Sequence, residues 1–180
     1  SDSIDVVPMS RRFECADLAS KLSTMRQVTS WIGESQVRAD SLAPLFEAQG
    51  ISIPDLVDRY AMTVDELRQM AGHPLVTIGA HTKSHRFLTS LSEQDLLAEF
   101  EGNKAYLEAL LDRPVDYLAY PYGTPGACGE REATTAARAG FRASFTTRHG
   151  HLFPQHLQHP QLLPRIDAGY APQSAAALAT

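Results

Sequence analysis

Between Leu18 and Ile32 the apolar positions Leu18, Leu22, Met25, Val28 and Ile32 recur at spacings of three or four. That period predicts one amphipathic helix, stopped by Gly33. A second short helix is expected from Leu42 to Gln49, ended by Gly50. Ile51-Ser-Ile-Pro-Asp55 reads as a loop, because Pro54 restricts the residue before it and removes a backbone donor. Thr63-Val-Asp-Glu66 has the spacing of a capping box and opens a further helix, which Gly72 and Pro74 close. Residues 1–62 are therefore expected to form a helical region.

From Leu75 the pattern changes to strands alternating with helices. Leu75-Val-Thr-Ile78 is a short, apolar, β-branched run, and Ser92-Glu-Gln-Asp95 caps a helix whose Leu96, Leu97, Phe100, Leu107, Leu110 and Leu111 share a face. That helix should end near Asp112. Val115 to Tyr120 reads as the next strand, Glu130 to Ala139 as a helix with Gly140 at its end, and Phe141 to Phe145 as a strand with strict alternation. The order β-α-β-α-β predicts an α/β fold, with a parallel sheet or barrel and its site at the C-terminal strand ends. His81 and His85, the turn Tyr120-Pro-Tyr-Gly123, and Thr146-Thr-Arg148 all follow predicted strands and so fall on one rim.

Length fits one domain: 180 residues divide into the helical region 1–62, a β/α portion over 63–170 and an Ala-rich tail over 171–180. The formal charge of −5, with no basic block, argues against a nucleic-acid partner. No apolar run is long enough for a membrane span, and Asp2, Asp5, Arg11, Arg12, Glu14 and Asp17 stand where a secretory leader would be apolar. Cys15 and Cys128 are too widely separated to read as a zinc knuckle or redox pair.

The sharpest chemical signal is Gly79-Ala-His81-Thr-Lys-Ser-His85. Two imidazoles at this spacing converge on one divalent metal if the chain between them turns tightly, and neutral imidazole suits Zn, Co, Ni or Fe better than Mg or Ca. The plainer alternative is a pair of loop histidines bonded to backbone. Thr82, between them, is placed to hydrogen-bond backbone and hold the loop. His149, His151, His156 and His159 form a second histidine-rich stretch, read as a polar loop before Pro160.

The run IGAHTKSHRFLTSLS, then EFEGNKAYLEALLDRPV, YLAYPYG, GEREATTAARAGFRASFTTRHG and LLPRI, in this order from about Met62 to Ile166, resembles the polysaccharide deacetylase family, the metal-dependent carbohydrate esterases that include chitin and peptidoglycan deacetylases. The resemblance implies a distorted (β/α) barrel. It implies a divalent metal, zinc foremost with cobalt or nickel as alternatives, held by His81 and His85. It matches Tyr120-Pro121-Tyr122 to the family's substrate-binding turn, with the Tyr122 backbone N–H as oxyanion donor. The implied partner is an N-acetylated glycan.

Three departures qualify that picture. The family's opening strand carries an Asp-Asp motif that supplies a base and a third metal ligand, and this chain contains no Asp-Asp pair. The resemblance therefore implies a C-terminal portion of a longer deacetylase, with a barrel incomplete at its N-terminal strand and with little activity by itself. Ala119 stands where many members carry an arginine, and Leu163-Pro-Arg165-Ile stands where they carry a leucine-histidine motif that supplies a general acid. Arg165 is then the candidate to stabilise negative charge or hold a carboxylate, against the alternative of a surface or ion-paired arginine. A missing strand also predicts an open sheet edge, covered by a homo-oligomer contact or by the N-terminal helices. The rival reading is a non-catalytic carbohydrate-binding or regulatory protein in which Tyr120, Tyr122 and Trp31 stack on sugar faces.

Overall fold

A β-hairpin opens the chain where helix was expected. The computed structural model describes residues 2–33 and 35–167; within them β1 (Ser3–Val6) pairs antiparallel with β2 (Arg11–Glu14), setting Ile4 opposite Phe13. The apolar positions here, Ile4 and Val6, then Phe13 and Cys15, repeat every second residue, which is the period of a strand. Val6 and Phe13 are buried with Leu42, and Val28, Trp31 and Ile32 pack against them. Trp31 thus serves the core of this region.

Helix α1 (Leu18–Ile32) starts at Asp17, whose Oδ1 accepts the Ser20 N–H at 2.7 Å, and stops at Gly33, where φ is +50°. Three short helices follow, α2 (Gln36–Asp40), α3 (Ala43–Ala48) and α4 (Ile53–Tyr60). Of the expected loop at 51–55, residues 53–55 are in fact the first turn of α4. Ser52 caps it by accepting the Asp55 N–H at 3.2 Å, and Pro54 sits in the first turn, where a missing N–H breaks no intrahelical bond. Residues up to Thr63 form one compact unit and those from Val64 onward a second.

The second unit begins with α5 (Val64–Ala71). The strand expected at Leu75–Ile78 does not ladder. Its continuation makes one parallel bridge, Ala80 to Leu118, with the Ala80 N–H donating to the Tyr117 carbonyl at 2.7 Å and the Ala119 N–H to the Ala80 carbonyl at 2.9 Å. Then come α6 (Glu93–Leu111), β3 (Tyr117–Ala119), α7 (Glu130–Arg138), β4 (Ala143–His149) and β5 (Leu163–Arg165). The strands lie in the order β3-β4-β5, all parallel, with Leu118 opposite Ser144 and Phe145 opposite Leu163.

This is an α/β fold, a distorted (β/α) barrel left incomplete: beyond the Ala80 segment no further strand continues the sheet among the described residues. Leu96, Phe100 and Leu107 of α6 close over Leu118, Tyr120 and Phe141, each fully buried large side chain contributing about 1.5–3 kcal/mol. Strand β4 runs through Thr146, Thr147 and Arg148, which were expected to lie beyond it. Its inward positions are polar yet satisfied: Ser144 Oγ donates to Gln161 Oε1 at 2.5 Å and Thr146 Oγ1 to the Leu163 carbonyl at 3.1 Å. Those partners arrive with the turn Pro160–Leu162 and with β5, a strand that the sequence pattern did not suggest.

Cys15 and Cys128 are both free thiols. No helix among the described residues is long and apolar enough to cross a membrane. The tail expected over 171–180 lies outside the described residues.

Candidate active site

The segment after Ala80 turns tightly because two non-glycine residues adopt left-handed backbone, Thr82 at φ +66° and His85 at φ +53°. Thr82 is buried and its Oγ1 accepts the His85 N–H at 3.1 Å, so the residue between the histidines does hold the loop. From α6, Asn103 Oδ1 accepts the His81 N–H at 2.9 Å. Glu99 Oε2 accepts the N–H groups of Lys83 and Ser84 at 2.9 and 2.8 Å, and its Oε1 accepts the Ser84 hydroxyl at 2.5 Å.

The turn brings the two imidazoles together, with ring centroids 4.8 Å apart and the planes inclined by 68°. His81 Nδ1 lies 2.7 Å from the Ala119 carbonyl oxygen. A carbonyl only accepts, so Nδ1 carries the hydrogen and, in the neutral ring, Nε2 carries the free lone pair. The Tyr122 ring centroid lies 5.1 Å from that of His85 and 4.8 Å from that of Phe87.

Tyr122 is itself left-handed at φ +61°, at the centre of a three-residue turn in which the Gly123 N–H donates to the Pro121 carbonyl at 2.7 Å. This type of turn is rare and strained. In the planar trans peptide between Pro121 and Tyr122, N–H and C=O point oppositely, so the Tyr122 N–H faces away from the turn; it meets no acceptor among the described residues. Strand β4 fixes the turn from below: Thr147 Oγ1 donates to the Tyr122 carbonyl at 2.7 Å and the Thr147 N–H to the Gly123 carbonyl at 2.9 Å. Gly123 has φ +62°, and a Cβ there would lie 2.5 Å from the Thr147 nitrogen.

His81, His85 and Tyr122 are therefore assembled at one place. Tyr120 is not: its ring is 2% exposed, its hydroxyl donates to the Gln161 carbonyl at 2.8 Å, and burial pushes the phenol well above its usual range. A ring so covered offers no face to a sugar, and Pro121 is buried as well. Both support the turn from within the core. Arg165, at the exposed end of β5, stands opposite His149 of β4 and is not part of the ring cluster. Phe87, Glu99, Asn103 and the Ala119 carbonyl were not foreseen. Only the i, i+4 spacing of Glu99 and Asn103 beside the apolar face of α6 hinted at a polar edge with a partner.

As a metal site the donor set fits in part. The histidine pair presents a fixed tautomer at His81, and no cluster of three or more His, Cys, Asp or Glu side chains suited to a metal occurs among the described residues. A cleft of about 470 Å³ opens beside His81, lined by Thr77, Gly79, Ala80, Tyr117, Leu118, Ala119 and Phe145.

The family model for polysaccharide deacetylase matches residues 27–144. No curated protein sequence matches the chain. Among solved structures, the Streptococcus pyogenes deacetylase PplD, in complex with acetate, is similar at a TM-score of 0.53 and 21% identity, with 71% of this chain and 57% of that one covered. A polysaccharide deacetylase from Bacillus cereus follows at a TM-score of 0.49 and 21% identity, with 59% of this chain and 32% of that one covered. The likeness to PplD is one of fold, and the chain spans little more than half of that protein's length and about a third of the other's.

Proposed function

Since the chain belongs to the polysaccharide deacetylase family, we propose that it carries part of a metal-dependent hydrolase that removes N-acetyl groups from a glycan. The observation that carries this reading is the meeting of the His81 and His85 rings beside the Tyr122 turn, with His81 Nδ1 already committed to the Ala119 carbonyl.

In this reading His81 and His85 hold a divalent metal, zinc foremost with cobalt or nickel as alternatives. Bound there, such a metal polarises an amide carbonyl and lowers the pKa of water toward about 7. The Ala119 carbonyl keeps the proton of His81 on Nδ1, so Nε2 stays a ligand. The Tyr122 N–H, turned outward and without an acceptor, donates to the oxygen of the amide as it gains negative charge, the stabilisation that usually dominates acyl transfer. Arg165 remains a candidate for stabilising negative charge from the neighbouring strand, although it stands apart from the rings.

The chain has no Asp-Asp pair to supply a base and a third ligand. We therefore expect it to be catalytically weak by itself. That same feature favours a second reading, a carbohydrate-binding or regulatory protein on a deacetylase fold. Self-association across the open edge beside Ala80 belongs to both readings, because an unpaired edge readily accepts another chain. Sedimentation that returns monomer alone at all concentrations contradicts it.

The test is to titrate an acetylated chitooligosaccharide, and its fully deacetylated counterpart, into the zinc-supplemented chain while measuring acetate. Preference for the acetylated ligand with slow acetate release supports the hydrolase reading. Preference without any release supports the binding protein. Equal binding of both ligands, or none, contradicts both.

A further inference from the structure

We propose that Glu99 is the positioning residue for the histidine pair, acting from α6 through the backbone of the loop between them; this rests on the reading of His81 and His85 as metal ligands. Four N–H groups of the loop, at residues 81, 83, 84 and 85, are each met by a side chain: Asn103, Glu99, Glu99 again and Thr82. Glu99 alone takes two of them and the Ser84 hydroxyl besides. Its partners are amides and a hydroxyl, so both carboxylate oxygens are spent on the shape of the loop.

The loop needs such a hold. Left-handed backbone at Thr82 and His85 disfavours the conformation that brings the two rings to 4.8 Å of each other. A carboxylate bonded to consecutive amides offsets this strongly, because hydrogen bonds to an ionised acceptor are about twice as strong as neutral ones. The platform is rigid as well. Leu96 and Phe100, flanking Glu99 on α6, are fully buried, so the carboxylate is held by the core and passes that rigidity to the residues between the ligands. Asn103, one turn further along α6, fixes the entry to the loop at His81.

The test compares Glu99→Ala, Glu99→Gln and His85→Ala in the full chain. Imidazole ¹⁵N shifts and amide exchange are followed by NMR, and cobalt(II) is titrated with its visible absorption recorded. Glu99→Ala is expected to speed exchange at Lys83 and Ser84 by roughly tenfold or more, to merge the distinct ring signals of His81 and His85, and to weaken cobalt binding roughly 10- to 100-fold. Glu99→Gln, which keeps a neutral acceptor oxygen in place, should restore part of each. Wild-type ring signals in Glu99→Ala, even with a lowered unfolding temperature, overturn the inference. If that variant does not fold, Glu99→Asp keeps the charge and withdraws it by one methylene; unchanged ring signals there overturn it equally. Cobalt binding that is absent from the wild type, or undiminished in His85→Ala, contradicts the ligand reading instead, and the ring signals still decide the role of Glu99.

Discussion

The Nδ1–H of His81 is directed at the carbonyl of Ala119, 2.7 Å away. The position where an arginine stands in many family members thus contributes its backbone here, fixing a histidine tautomer while its side chain is a methyl group. The contact joins the histidine loop to the end of β3, one residue before the Tyr120-Pro-Tyr-Gly123 turn. Both halves of the candidate site therefore hang from the same strand end, which is why the two local sequence signals meet in space.

Replacing Gly123 by alanine should damage the turn. The added Cβ would lie 2.5 Å from the Thr147 nitrogen at a φ of +62°, so backbone strain and overpacking add to a cost of at least about 2 kcal/mol. Urea unfolding reads this directly. A loss within error of zero would mean that Thr147 and the turn are not in the contact described.

Thr82→Val keeps the shape of a buried side chain and deletes the acceptor for the His85 N–H. An unmet donor of this kind costs about 1–2 kcal/mol. The expected result is that loss in chemical denaturation together with faster exchange of the His85 amide; unaltered exchange would show that the threonine is not what holds it.

Tyr120→Phe tests the placement of that ring in the core. Its hydroxyl is bonded to the Gln161 carbonyl at 2.8 Å, and losing the bond should cost about 1 kcal/mol. Affinity for an acetylated chitooligosaccharide should be unchanged. A clear fall in affinity with wild-type stability would return Tyr120 to the substrate.

Stability should fall in acid partly through Glu108. Its carboxylate accepts from the Lys104 ammonium at 2.7 Å and the Val115 N–H at 3.0 Å, which together hold its pKa below the ordinary 4.5. A carboxyl lowered on folding stabilises fully above its unfolded pKa, and the contribution is lost as pH falls through the lower, folded value. Glu108→Gln should accordingly flatten the acid limb of a urea-midpoint profile. An identical limb in both proteins would assign the acid sensitivity elsewhere.

Much of this was legible from pattern because it depends on local rules. The helices from Leu18, Ser92 and Glu130 announce their caps and stops, and the histidine and Pro-Tyr-Gly motifs carry their own turn chemistry. What escaped depends on partners distant in the chain. Ser144 reads as a polar position of a strand and Thr146 as a loop residue until Gln161 and Leu163 arrive to accept their hydroxyls. Pro54 reads as a loop marker until Ser52 caps the turn around it. Tyr120 and Tyr122 are near-identical in sequence context, yet strand alternation buries one and the strained turn exposes the other. Glu99 resembles any acid on a helix until the loop folds onto it.

Whether His81 and His85 share one ion is measured most directly by titrating zinc or cobalt calorimetrically into the wild-type chain and into His81→Ala and His85→Ala. The wild type should bind a single ion saturably, and both variants should lose that binding while the fold persists. Binding that survives either substitution, or a wild type that takes up no ion, would contradict a shared site.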